Sequence, residues 1–274
     1  MNLDIAFGQY CEGNSILHRL DPRAKIIASI LYIIVIFLAD TLAAFALLVV
    51  SAILLVALSG ISPRIVLRGM KPLAVVIAFT VIVNIFWMTG DTLLWEWKFI
   101  HIYAEGLVNA LLIAIRILVL LVGTSIFMTY TTTPIALTDG LEQLLAPLAK
   151  LHLPVHEFSM MMTIALRFIP TLVEETQKIM NAQKARGADF STGSLVQRIR
   201  ALIPVLVPLF ISAFRRADEL ATAMECRCYT GGEGRTRMNV LHAGFKDAAA
   251  CLLIAALGVG VILLNGVGGY ALAW

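Results

Sequence analysis

The sequence predicts an all-α membrane protein of about five transmembrane helices, with long cytoplasmic or interfacial helices between the fourth and the fifth. Three observations point there. Of the 274 residues 59% are hydrophobic and only 14% charged, and the mean hydropathy is +0.88, far more apolar than a soluble domain. Apolar stretches near 25–39, 42–59, 72–88, 106–129 and 248–264 each approach the ~20 residues that cross a ~30 Å hydrocarbon core. The interval 131–245 is too charged to span as a whole and too apolar for an ordinary loop. The expected organisation is a four-span region over 1–130, a coupling-helix region over 131–245 and a last span over 246–274.

Asp4, Glu12 and Asp21 precede the first apolar run, which begins near Ile26. There is no basic segment followed by a short apolar run and a small-residue cleavage site, so the N-terminus is expected to be retained. The breaks between the first four stretches are turn chemistry: Ala39-Asp40-Thr41, Ser59-Gly60-Ile61-Ser62-Pro63 and Thr89-Gly90-Asp91. Cys11, Cys226, Cys228 and Cys251 are too scattered for a disulfide framework and are expected as reduced thiols.

Charge sets the expected orientation. Of 21 Lys and Arg, all but Lys98 and Arg116 precede the first stretch, lie between the second and third, or lie between Lys150 and Lys246. Cytoplasmic segments carry that excess, so the N-terminus is expected inside and Trp274 outside. Trp87, Trp95, Trp97 and Tyr103 fit an aromatic belt at the outer interface, with a short extended segment over 95–102.

In the interval 131–245, residues 134–151 read as a short amphipathic helix with Thr133 as N-cap and Pro134 at its first position. The turn Leu151-His152-Leu153-Pro154 ends it. Residues 155–186 and 195–227 read as two long helices of one design, apolar in the first half and charged in the second. The apolar halves, roughly 14 to 16 residues each, are short for spans and read as re-entrant or interfacial. Pro170, Pro204 and Pro208 lie inside these helices and are expected to bend them.

The two helices also finish alike, in Ala185-Arg186-Gly187 and Cys226-Arg227-Cys228. Ile179 matches Leu220 and Ala182 matches Ala223, so an apolar and a small residue share each arginine's face. An arginine at a helix C-terminus meets the helix dipole favourably, and glycine is the natural residue just after it. Two such endings in a chain without catalytic motifs point beyond capping, to docking. Phe158, Met160, Met161, Met162 and Phe168 offer a soft apolar surface suited to more than one partner, or else pack the two helices together.

These residues resemble the transmembrane T component of energy-coupling factor transporters, which take up vitamins and transition-metal ions in prokaryotes. The resemblance runs from Leu20-Asp21-Pro22-Arg23, Leu67-Arg68-Gly69-Met70-Lys71-Pro72 and Leu137-Thr138-Asp139-Gly140-Leu141-Glu142 to Ala165-Leu166-Arg167-Phe168-Ile169-Pro170-Thr171, Ala185-Arg186-Gly187-Ala188-Asp189, Phe214-Arg215-Arg216-Ala217-Asp218-Glu219-Leu220 and Arg227-Cys228-Tyr229. It implies that the X-Arg-X ends, Ala185-Arg186-Gly187 and Cys226-Arg227-Cys228, dock into two ABC-type ATPase subunits. It also implies that the apolar sides of the helices, with Phe158, Met160, Met161, Met162 and Phe168, hold a membrane-embedded substrate-binding S component. Cys226 stands where the family pattern has alanine, a residue of similar size. The pattern looks more like the T component shared among S components than the one dedicated to cobalt or nickel. A prokaryotic cytoplasmic membrane follows, with the lipid bilayer as surroundings and no nucleic acid as partner.

No Gly-x-x-x-x-Gly-Lys-Ser/Thr loop occurs; Thr230-Gly231-Gly232-Glu233-Gly234-Arg235 lacks its lysine and hydroxyl. Neither catalysis nor a cofactor of its own is therefore expected, ATP being bound by the partners. Pro154 interrupts His152 and His156, and Cys226-x-Cys228 has no second pair nearby, so no metal site is expected. The rival reading is a stand-alone secondary transporter or channel built on Arg116, a charge near the middle of the fourth stretch. The five stretches supply no carboxylate to partner it, and Arg116 is expected to hold the membrane helices to the cytoplasmic ones. An intramembrane enzyme would need a nucleophile and base that the sequence does not offer.

Overall fold

In the computed structural model, residues 10–11, 13–87, 93–97, 100–147, 154–190, 194–231, 241–242 and 244–267 are described. They form α1 (Pro22–Phe37), α2 (Leu42–Ser59), α3 (Pro63–Trp87), β1 (Leu93–Trp97), β2 (Ile100–Tyr103), α4 (Ala104–Thr124) with a π-helical extension (Ser125–Tyr130), α5 (Pro134–Leu145), α6 (Val155–Ala185), α7 (Leu195–Cys226) and α8 (Phe245–Val267). The chain is all-α apart from the small antiparallel hairpin β1–β2, which occupies the segment expected to be extended. Two compact units divide it, Met1–Leu144 with Val240–Trp274, and Leu145–Asn239.

Among the described residues five helices are long and apolar enough to cross a membrane: Leu42–Ser59, Pro63–Trp87, Ala104–Tyr130, Val196–Cys226 and Phe245–Gly266. The number matches the expectation of about five. α1, expected as the first span, has 16 residues, roughly 24 Å of helix and short of a ~30 Å core. α7, expected at the interface, meets the length and composition of a span. α3 begins at Pro63, nine residues before the expected start, and Pro72 lies inside it. The turn expected over 151–154 falls mostly outside the described residues, as do His152 and the segment Gly232–Arg235.

In the first unit α1 packs on α4 and α8, α2 on α4 and α8, and α3 on α4. At the centre Tyr32 is 1% exposed and meets Phe127 edge-on, ring centroids 6.2 Å apart. Its hydroxyl lies 3.1 Å from Ser51 Oγ. Gly123 on α4 makes room for the ring, since a Cβ there would stand 2.1 Å from the Tyr32 ring carbon Cε1. Gly123→Ala is therefore expected to destabilise the solubilised protein by about 1–3 kcal/mol despite alanine's helix preference, read as a lower melting temperature.

Polar side chains tie the two ends of this bundle. At one end the Asp21 carboxylate accepts from Arg23 N at 2.9 Å, capping α1, and Pro22 begins the helix. Asp247, in the first turn of α8, accepts from Asp21 N at 2.8 Å and from Gly244 N at 2.7 Å. Buried Lys25 donates to the carbonyls of Thr131 at 2.7 Å and His18 at 3.3 Å. The Thr131 and Thr132 hydroxyls both donate to the Phe127 carbonyl in the π-helical turn, where the widened ladder changes the usual pairing.

The other end corrects the reading of Arg116. Its guanidinium donates to the Ala39 carbonyl, lies 3.8 Å from Asp40 and stacks 5.2 Å over the Phe45 ring. The partner carboxylate comes from the α1–α2 turn, which a search confined to the spans passes over. Arg116 thus holds α4 to that turn within the first unit. Asn265 of α8 completes the clamp: its amide donates to the Leu38 carbonyl, and its oxygen accepts from Asp40 N and Thr41 Oγ1, each at 3.2 Å.

Helix arithmetic explains why the clamp exists. Fourteen residue steps along α1 and its C-terminal turn separate Lys25 from Ala39, and fifteen along α4 and its π-helical extension separate Arg116 from Thr131, roughly 20 Å in each case. From Arg116, α4 continues for 12 residues back to Ala104, a further ~18 Å. The α1–α2 turn therefore meets α4 partway along its length, among apolar helices where an unpartnered peptide group is costly. Arg116 and Asn265 supply partners, and a cation also suits the C-terminal end of α1.

Candidate functional site

The second unit holds the two long helices. α6 opens after Pro154 with Glu157 in its first turn and runs unbroken through Pro170. α7 opens on a capping box: Ser194 Oγ accepts from Gln197 N at 3.4 Å, and the Gln197 side chain accepts from Ser194 N at 2.9 Å. Pro204 and Pro208 lie within it.

Both helices end in the same hydrogen-bond pattern. Gly187 N donates to the Lys184 carbonyl and Ala188 N to the Gln183 carbonyl, each at 3.0 Å, with Gly187 at φ +89°. Cys228 N donates to Glu225 at 2.8 Å and Tyr229 N to Met224 at 3.1 Å, with Cys228 at φ +54°. Each is a Schellman motif: the arginine is the C-cap and the third motif residue takes the left-handed turn. That is the physical content of X-Arg-X here. The turn stops the helix at the arginine and leaves it on an exposed tip.

Arg186 and Arg227 are both exposed, and among the described residues neither guanidinium has a hydrogen bond or ion pair. Ala185, Gly187, Cys226 and Cys228 are exposed beside them, with Ala182 and Ala223 one turn back. Ile179 and Leu220, two turns back, are half-buried. Each tip is a bare cation in a small-residue setting, which suits a grooved partner surface carrying acceptors.

Cys228 is the sole non-glycine with positive φ among the described residues. A side chain in that conformation costs roughly 1 kcal/mol, so Cys228→Gly is expected to strengthen the end of α7 by about that amount. Slower amide exchange at Tyr229 would report it.

The five platform candidates separate by orientation. Phe158, Met161 and Met162 are exposed and share one face of α6 at i, i+3, i+4. Met160 is half-buried, and Phe168 turns into a cleft of about 240 Å³ between α6 and α7, with Ile164, Leu172, Ala213, Leu220 and Met224 also in its walls. The sequence reading assigned no platform residue to α7. There Val196, Ile199, Ile203, Leu206 and Phe210 are all exposed at alternating three- and four-residue spacing, a continuous apolar face whose signal was present in that spacing.

One polar contact between the helices also went unread. Arg216 of α7 donates to Glu175 of α6 at 2.8 Å. The Ser212 hydroxyl bonds the same carboxylate and, with the Arg216 charge, holds its pKa below the usual range.

Comparison with known proteins adds the lineage. A family model described as cobalt transport protein, CbiQ, matches residues 13–238. The energy-coupling factor transporter transmembrane protein EcfT of Ruminiclostridium cellulolyticum is 54% identical over 239 residues, covering 87% of this chain and 89% of the relative. Proteins of the same name from Acidaminococcus fermentans, 50% identical over 257 residues with 94% and 95% covered, and from Bacillus subtilis, 46% over 250 with 91% and 94%, are also similar.

Proposed function

Because the chain belongs to the CbiQ family, and within it to the energy-coupling factor transmembrane proteins of the EcfT type, we propose that it couples two ABC-type ATPase subunits to a membrane-embedded S component. The observation that carries this reading is the pair of Schellman-terminated helices, each presenting one unpaired, exposed arginine, Arg186 and Arg227. Closure of the ATPases on ATP would move the tips relative to each other, and α6 and α7 would deliver that motion to the apolar faces carrying Phe158, Met161 and Met162. Coupling of this kind requires that the ATPases hold the tips differently in their two states.

The chain is a multi-pass membrane protein and a transporter component. The basic excess favours an N-terminus inside and a C-terminus outside the cytoplasmic membrane. ATP would be bound by the partners. The transported vitamin or ion would be chosen by the S component, in keeping with a T component shared among several of them.

Affinity purification of the chain in mild detergent, followed by mass spectrometry, tests the reading. Two ATPase positions and a small membrane protein are expected in the eluate; recovery of no ABC ATPase would sink it.

A further inference from the structure

The ion pair between α6 and α7 sits at matched positions on the two helices. Arg186 follows Glu175 by 11 residues, and Arg227 follows Arg216 by 11. Three turns of helix, about 16.5 Å, therefore separate each tip from the pair.

The arms also diverge. Leu195 precedes Arg216 by 21 residues, about 31 Å of helix. Were the helices parallel, Arg186 and Leu195 would stand about 48 Å apart, whereas the nine residue steps that join them reach at most ~32 Å. α6 and α7 therefore pass in opposed senses, and their arginine-tipped arms leave the ion pair in different directions.

Beside the pair the packing is open. Ile164, Phe168 and Leu172 of α6 and Ala213, Ala217 and Ala221 of α7, each set spaced i, i+4, i+8, line the cleft of about 240 Å³. Helices whose ridges interdigitate without gaps resist a change of crossing angle. Here the alanine stripe leaves room for one, and a polar contact fixes the crossing point instead.

We propose that Glu175 and Arg216, with Ser212 holding the same carboxylate, form the fulcrum on which α6 and α7 scissor, so that displacement of one arginine tip turns both helices about a fixed point at equal leverage. The inference rests on the docking role of Arg186 and Arg227. Glu175 and Arg216 are positioning residues in it and touch no substrate. Their side chains are 24% and 35% exposed, and pairs of that kind add little to stability, so the fold survives their replacement.

The test has two arms. In the first, the solubilised chain carries spin labels at Cys226 and at Lys184→Cys, with Cys11, Cys228 and Cys251 replaced by serine. The parent should give a narrow distance distribution, Arg216→Gln one about twofold wider, and the charge swap Glu175→Arg/Arg216→Glu a narrow one again. Equal widths in all three would overturn the fulcrum. In the second arm, the complex with its ATPases and S component is reconstituted into liposomes. Arg216→Gln should keep both ATPases bound and lose about fivefold or more of ATP-driven uptake, and the swap should recover most of it. Unchanged uptake in Arg216→Gln, or no recovery in the swap, would refute the proposal. If the parent chain binds no ATPase, the docking reading fails; the distance arm, which needs no partner, still judges the pivot separately.

Discussion

Replacing both Arg186 and Arg227 by glutamate is expected to strip the ATPase subunits from the solubilised chain, while the chain itself keeps its melting temperature. Truncating or reversing a buried, hydrogen-bonded interface cation costs roughly 2 kcal/mol or more, about 30-fold in affinity at each tip. The single variants are expected to be intermediate, because each leaves one tip in place. Exposure makes the test clean: neither guanidinium bonds another described residue, so no bond among the described residues is lost with it. The competing account is that these arginines only meet the dipoles of their own helices. Reversal would then cost about 0.3–1 kcal/mol at each helix end and leave recovery of the ATPases unchanged. Quantifying ATPase recovered per mole of chain, beside a thermal melt of the same sample, decides between the two.

The second large effect is expected at Arg116. Arg116→Met removes a donor from the Ala39 carbonyl and the counter-charge from Asp40, both in the turn between α1 and α2. A buried acceptor left without its donor costs about 1–3 kcal/mol, and breaking a buried ion pair about 3–5 kcal/mol. Asp40 is 38% exposed, which places the expected loss nearer 2–4 kcal/mol by the same reasoning. Adding Asp40→Asn to Arg116→Met should return part of it, since the carboxylate no longer needs a counter-charge. The readout is the melting temperature of the purified chain in detergent, completed as a double-mutant cycle. A transport pathway through Arg116 would give a different signature, with uptake abolished and stability untouched.

Much of the fold was legible because membrane helices declare themselves locally. Length and hydropathy marked α2, α4 and α8, and Thr133 with Pro134 and Gly187 marked where α5 begins and α6 ends. α3 ran further than its apolar stretch because Pro63 to Lys71 is helical though basic, and composition alone stops at the charge. α1 is the shortest of the apolar helices expected to span, at 16 residues. The partners of its last carbonyls, Arg116 and Asn265, come from helices distant in the chain and were not legible in its sequence.

The arginine-ended helices show the same boundary. Sequence by itself determined that the chain is an all-α membrane protein, that two long helices follow the fourth span, and that each ends in X-Arg-X, because hydropathy, proline, glycine and charge act within a few residues of one another. Tertiary structure alone decided that Cys228 adopts glycine's left-handed turn, that Phe168 faces the α6–α7 cleft, that Glu175 meets Arg216 across 41 residues of chain, and that Asp40 lies beside Arg116, 76 residues away. Such contacts depend on where separate helices come to lie together, and no local property of the chain encodes that.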